Sequence, residues 1–418
     1  MLKLTTTDHE VPDANESLLD ELARQGARRV IMEALDLEVA EYIYKCRQLR
    51  DEDSNALVVR NGHGEERKLL IGCGTIDIKS PRVNDRRPGQ KFTSAILPPY
   101  MRRSPNVSEV LPVLYLKGIS SGDFSGALEA LLGKDAAGLS AASISRLKAK
   151  WADEYKAFRN RRLDISRYAY IFCDGVNVSV RLGDDPKLCL LVVIGVREDG
   201  RKELLSVESG YRESKESWAS VLRSLKRRGM DVPLLAVGDG NLGLWAALGD
   251  VFPQTQEQRC WVHKIANVLD KLPKRLQPKA KSFLHEIMNA PTRDLALLEI
   301  ENFKQEYGAK YPKAVSCLIK DTDQLLNFYD FPAEHWIHIR TTNPIESAFA
   351  TVKLRTKVTK GAGSTEAAIT MAFKLLTEAE KRWRRITAYE LVTKVLEGVG
   401  FKDGIEQVQV SEEERIVA

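Results

Sequence analysis

Hydrophobic and polar positions change period along the chain, and each change marks an element. From residue 16, Leu18, Leu19, Leu22, Ala23, then Val30, Ile31, Ala34, Leu35 and Val39 recur at helical spacing, with an expected break near Gly26. Residues 1–14 are polar and expected to be loose. Arg60-Asn61-Gly62-His63-Gly64 reads as a turn, residues 68–81 as two short strands around Gly72-Cys73-Gly74, and residues 84–91 as a basic loop. Three helical stretches follow: 107–117 closed by Gly118, 120–133, and one opening after Ser140 with small polar residues, then basic ones.

Residues 167–180 are different: apolar on both faces up to Cys173, as in a central, doubly covered strand. Strands at 187–196 and 202–207, a helix at 215–228, a strand at 232–238, a short helix at 242–248 and a strand at 256–260 complete the pattern. Residues 264–329 become helical and rich in Lys and Leu, with a dense cationic run at 271–281, and two amphipathic helices close the chain between 365 and 398. The element order predicts an α/β fold with a ribonuclease-H-like mixed sheet and an all-helical insertion, preceded by a mainly helical DNA-binding region with a small β hairpin. The expected division is a helical region 1–62, a hairpin and helix-turn-helix-like region 63–160, a catalytic domain in two parts (165–263 and 336–400) around the insertion 264–335, and a tail 401–418.

A length of 418 residues suggests about two to four domains. The 43% hydrophobic and 29% charged residues are those of a globular protein, and no stretch reaches a membrane span or a signal core. The net charge of +5 is too mild to argue for nucleic acid by itself, so the placement of cations matters more. The six cysteines are scattered and read as reduced thiols, with a cytoplasmic location expected, nucleoid-associated when on DNA.

Three carboxylates stand where a lone charge is costly. Asp174 interrupts the central strand, Asp239 follows the strand 232–238, and Glu346 opens a helix in Thr341-Thr342-Asn343-Pro344-Ile345-Glu346-Ser347. Hard oxygen donors of this kind suit two Mg²⁺ or Mn²⁺ ions and in-line phosphoryl displacement. The plainer alternatives are Asp-Gly turns for the two aspartates and a capping box, with Asn343 as N-cap and Glu346 at N3, for the glutamate. Lys353 and Lys357 fall seven and eleven residues after Glu346 on one helix face, as a phosphate backbone crossing the site requires. They are expected to bind DNA together with Arg340, Asn343 and Arg355, and with Ser143, Ser145, Arg146 and Lys148 on a candidate recognition helix; a small bundle with a solvated basic face is the alternative for the latter. Cys260 and His263 form half of a zinc pattern whose other half could only be His335 and His338, at non-standard spacing; a packed cysteine and a hydrogen-bonded histidine are the alternative.

Cys173-Asp174-Gly175, Val237-Gly238-Asp239-Gly240, Gln258-Arg259-Cys260-Trp261-Val262-His263 and Thr341 to Ser347, in this order, resemble the Mutator-type transposases of bacterial insertion sequences. Arg60-Asn61-Gly62, the helix around Trp218 ending at Arg228-Gly229, and Arg355-Thr356 extend the resemblance from about residue 60 to 398. It implies a DDE transposase with the triad Asp174, Asp239 and Glu346 and divalent-metal-dependent nicking at inverted-repeat ends followed by attack on target DNA, and it covers Cys260 and His263 as a Cys-x-x-His motif. A homodimer or higher oligomer is expected on mechanistic grounds, because two ends must be held together. Ala266-Asn267 departs from the pattern, where a basic residue is expected before the asparagine. The competing readings are a ribonuclease-H-like nuclease without strand transfer and a non-catalytic helix-turn-helix regulator.

Overall fold

The computed structural model describes residues 18–116, 132, 141–181, 187–210, 212–358 and 361–407, in two compact units, Met1–Leu147 and Lys148–Ala418. In the first unit, helix α1 (Leu18–Lys45) runs unbroken through the expected interruption. Gly26 is exposed with open space around it, so it costs the helix only about 1 kcal/mol against alanine. Leu35 of α1 packs with Leu69, Ile76, Ile78 and Leu97. The expected hairpin is present as β2 (Arg67–Ile71) and β3 (Gly74–Ile78). Two strands were not anticipated: β1 (Val58–His63) and β4 (Pro81–Asp85) pair antiparallel across the positions read as a turn and a basic loop. The pairing register shifts between Arg60 and His63, and Gly62 has φ +60° there. The glycine that signals a turn therefore serves a bulge inside a strand.

Helix α2 spans Pro105–Leu116 and α3 spans Ala141–Asn160. Of the expected helix at 120–133 only residue 132 is described, so most of the helix-turn-helix reading lies outside the described residues.

The second unit is built on a five-stranded sheet of β5 (Tyr168–Ser179), β6 (Lys187–Arg197), β7 (Lys202–Gly210), β8 (Leu235–Gly238) and β9 (Gln256–Arg259), in the order β7-β6-β5-β8-β9. The first three pair antiparallel, while β8 and β9 run parallel to β5, which makes the sheet mixed. Alternation along β5 assigns its faces. Ile171 and Cys173 join a core with Trp218 and Leu222 of α4 (Lys215–Arg227) and Leu244 and Leu248 of α5 (Leu242–Val251), whereas Tyr170 meets Phe331 and His335 edge-on.

After β9 the chain is helical, as its composition predicts: α6 (Trp261–Leu269), α7 (Gln277–Met288), α8 (Arg293–Tyr307), α9 (Pro312–Ile319), α10 (Thr322–Leu326) and α11 (Trp336–Ile339). The fully buried Lys264 of α6 bonds Asp321 and the Cys317 carbonyl, and Arg259 pairs with the same Asp321 at 2.9 Å. That network ties the end of β9 to the helical segment. Helix α12 (Asn343–Val358) packs on β5, α13 (Thr365–Glu380) on β7, and α14 (Glu390–Leu396) follows. The segment expected as a tail begins instead with a small hairpin, β10 (Phe401–Lys402) and β11 (Ile405–Glu406), because Phe401 is buried and Gly404 packs against Ala333 and Trp336.

Candidate active site

Parallel pairing sets Cys173 opposite Gly238, so the next residues, Asp174 and Asp239, emerge side by side from neighbouring strands. Asp174 is 8% exposed, and its Oδ1 accepts the Gly175 amide at 2.8 Å. Asp239 Oδ1 accepts the Asn241 amide at 2.9 Å, and Asn241 in turn caps α5 by accepting from the Gly243 amide at 2.8 Å. Gly240 turns the chain at φ +86°, a left-handed conformation suited to glycine.

A third acid, which sequence reasoning missed, completes this group. Glu213 stands three residues beyond the end of β7 at Gly210 and immediately before Ser214, which caps α4, and its Oε2 accepts the Asn241 side-chain amide at 3.1 Å. Oxygens of Asp174, Glu213 and Asp239 lie within 4.8 Å of one another. The only sequence signal was an acid at a strand-to-helix junction, which many surface loops share.

Burial, then the neighbouring Asp239, pushes the Asp174 carboxyl up to about 7; Glu213 adds to the rise, while the Gly175 amide and His263 oppose it. Glu213 is raised too, first by burial and then by Asp239. Two raised carboxyls, Asp174 and Glu213, with the Asp239 oxygen beside them form the kind of oxygen donor set a hard divalent cation takes, so the residues present fit the metal that the resemblance implies.

Glu346 belongs to an adjoining group with Cys260 and His263, whose donor atoms also lie within 4.8 Å of one another. Helix α12 begins at Asn343, so Thr342 takes the capping place and Glu346 falls at N4, not at the N3 position a capping box requires. Thr342 gives its hydroxyl to Glu346 Oε1 at 2.5 Å, and its backbone N–H reaches Cys260 Sγ at 3.3 Å. His263 Nδ1 lies 3.7 Å from the same Glu346 oxygen. The bond to Cys260 raises His263 to about 9 against its burial, and Glu346 and Asp174 add to the rise, so this imidazolium links the two groups electrostatically. Burial would raise the Cys260 thiol, but its hydrogen bonds to His263 and Thr342 outweigh it, and the net shift is downward.

The four-ligand zinc arrangement is not formed. His335 is fully buried, with Tyr170 Oη at 2.7 Å from Nδ1 and the Ala388 carbonyl at 3.1 Å from Nε2, and His338 accepts the Thr387 amide at 2.9 Å. Both imidazoles are committed elsewhere.

Of the expected DNA contacts, Asn343, Lys353 and Lys357 are exposed. Arg340 is half-buried and donates to the Met288 carbonyl at 2.7 Å. Arg355 is 3% exposed, so its guanidinium lies in the interior and not on the helix surface. On α3, Arg146 and Lys148 are exposed, while the side chains of Ser143 and Ser145 lie outside the description. No described helix is long and apolar enough to cross a membrane.

The sequence matches the description "Transposase, Mutator family" over residues 3–386. It is 57% identical to the transposase for insertion sequence element IS6120 of Mycolicibacterium smegmatis, over 71% of this chain and 92% of that protein. Identity to the transposase for element IST2 of Acidithiobacillus ferrooxidans is 51%, over 67% and 94%. With the transposase for element ISRM5 of Rhizobium meliloti it is 29%, over 88% and 89%. The match spans nearly the whole of the chain and both of its compact units, and on that ground the protein is a member of the Mutator family of transposases.

Proposed function

We propose that this transposase is a DDE enzyme with a ribonuclease-H-like catalytic domain, which binds the terminal inverted repeats of an insertion sequence and carries out divalent-metal-dependent strand cleavage and strand transfer. The observation that carries the reading is the emergence of Asp174 and Asp239 side by side at the Cys173–Gly238 register position. Strand order β7-β6-β5-β8-β9, with three antiparallel strands followed by two parallel ones, is the support for the fold assignment.

In this reading Asp174, Asp239 and Glu346 hold Mg²⁺ or Mn²⁺, two ions in the full site, and those ions supply charge stabilisation for in-line phosphoryl displacement. The chain's own residues do the rest. Thr342 and His263 orient the Glu346 carboxylate, and His263 keeps a proton at the seam between the two acidic groups. Lys353 and Lys357 offer cations to the phosphate backbone along α12, and Asn343 presents a polar side chain at its start. Two element ends must be held together, so a homodimer or larger assembly on double-stranded DNA in the cytoplasm is the working unit.

The test is a labelled duplex carrying the element's end, incubated with Mg²⁺ or Mn²⁺ and a plasmid target, with wild type compared to Glu346→Gln. Joined product in wild type alone supports the proposal. Cutting without joining selects the plain nuclease, and metal-independent binding without cutting leaves a DNA-binding protein with structural acids.

A further inference from the structure

We infer that Glu213 is a third carboxylate ligand of the cation site formed with Asp174 and Asp239, and that Thr342 and His263 hold Glu346 apart from that site in this conformation. The inference rests on the reading that these acids bind a divalent ion, and it alters which residues hold the ion in the absence of DNA. Glu213 is brought to the two aspartates by backbone features around all three. Its side chain lies over Gly175, where a Cβ would fall 2.4 Å from Oε1 and 2.7 Å from Cδ. Its own carbonyl occupies the space beside Gly243, where a Cβ would come within 2.3 Å. Each position therefore accommodates the glutamate because it lacks a side chain, and the Asn241 amide aligns one oxygen. Arg212, immediately before it, takes φ +54°, a conformation a bulky side chain seldom adopts and one that persists where the surroundings impose it.

Glu346 has the opposite surroundings. The Thr342 hydroxyl and the His263 ring lie on one of its oxygens, Oε1, and the cluster of potential ligand atoms it belongs to holds a thiol and an imidazole, not the two aspartates. A cation entering without DNA thus meets Asp174, Glu213 and Asp239 as a ready-made oxygen set.

Binding of Mn²⁺ to the full chain, without DNA and followed by the electron paramagnetic resonance signal of free Mn²⁺, tests this. Loss of a ligand should weaken the tightest site on the order of tenfold or more in Glu213→Gln, as in Asp239→Asn, with Glu346→Gln staying close to wild type. Gly175→Ala should weaken it likewise, by displacing Glu213, and should add nothing in a Glu213→Ala background. Wild-type affinity in Glu213→Gln, alongside lost binding in Asp174→Asn, overturns the assignment of Glu213 alone. Unchanged binding in Asp174→Asn, or no saturable binding in wild type, overturns the acidic cation site altogether.

Discussion

Replacing Asp174 with asparagine should make the metal-free protein more stable while abolishing cleavage. Asparagine keeps the shape and can still accept the Gly175 amide through Oδ1, so packing is preserved. What it removes is a buried charge beside two other acids. In the fold the Asp174 carboxyl sits at about 7, and the unfolded chain restores it to about 4. A folded value above the unfolded one means the native state prefers the protonated form. Its stability is complete below pH ~4 and falls as the pH rises through ~7. At 1.36 kcal/mol per tenfold in proton affinity, ionised Asp174 costs the wild-type fold roughly 3–4 kcal/mol at pH 8 and almost nothing at pH 4. All six tryptophans (Trp151, Trp218, Trp245, Trp261, Trp336 and Trp383) lie within Lys148–Ala418, so their emission reports the unfolding of that unit alone. In EDTA at pH 8 the urea midpoint of Asp174→Asn should lie above wild type by about 1 M, and the difference should vanish near pH 4. Saturating Mg²⁺ should narrow it by stabilising wild type only. A variant less stable than wild type at pH 8, or a difference independent of pH, would refute the account of a charge held against repulsion and burial.

Gly240→Ala should cost about 3–6 kcal/mol, since the backbone is at φ +86° and a Cβ would meet Arg259 Nη1 at 1.9 Å, disturbing its pair with Asp321; the same tryptophan-monitored unfolding measures it. Lys353→Ala should weaken DNA binding and lower the slope of log affinity against log salt by about 0.9, whereas Arg355→Ala, at a buried position, should destabilise the fold and leave the slope of the folded protein unchanged. Burial, then the positive Lys202, lowers His338 to about 4, below its unfolded value of roughly 6.5. Its contribution to stability is therefore complete above that unfolded value and lost as the pH falls from there through about 4; urea midpoints over this range should flatten in His338→Gln. Tyr170→Phe leaves the buried His335 Nδ1 without its donor and should cost about 1–3 kcal/mol, read from the shift in urea midpoint.

The linear order of elements in the second unit was legible because β5, β6 and β8 are largely apolar and buried, and because the helices between the strands carry their own periodicity. That was enough to predict Asp174 and Asp239 as neighbours, since a residue following a parallel-paired strand end inherits the register of the strand. The sequence also singled out Glu346, Cys260 and His263, which the fold brings together, and it showed the change to a helical segment after β9. Local signals misled where a glycine or a proline serves two structures equally well. Gly62 marks a bulge, Gly26 sits harmlessly within a helix, and Pro344 follows a cap one residue earlier than the sequence suggested. Only the tertiary structure decided which acids meet. Glu213 reaches the aspartates because Gly175 and Gly243 leave room for it, and Glu346 turns toward His263 because Thr342 and Cys260 pack there. Arg355, expected to contact DNA, is instead buried where α12 packs on β5. Spacing along a chain sets the face from which a side chain departs; whether that face meets water, another charge or a core depends on residues remote in sequence, and that closure is a property of the fold.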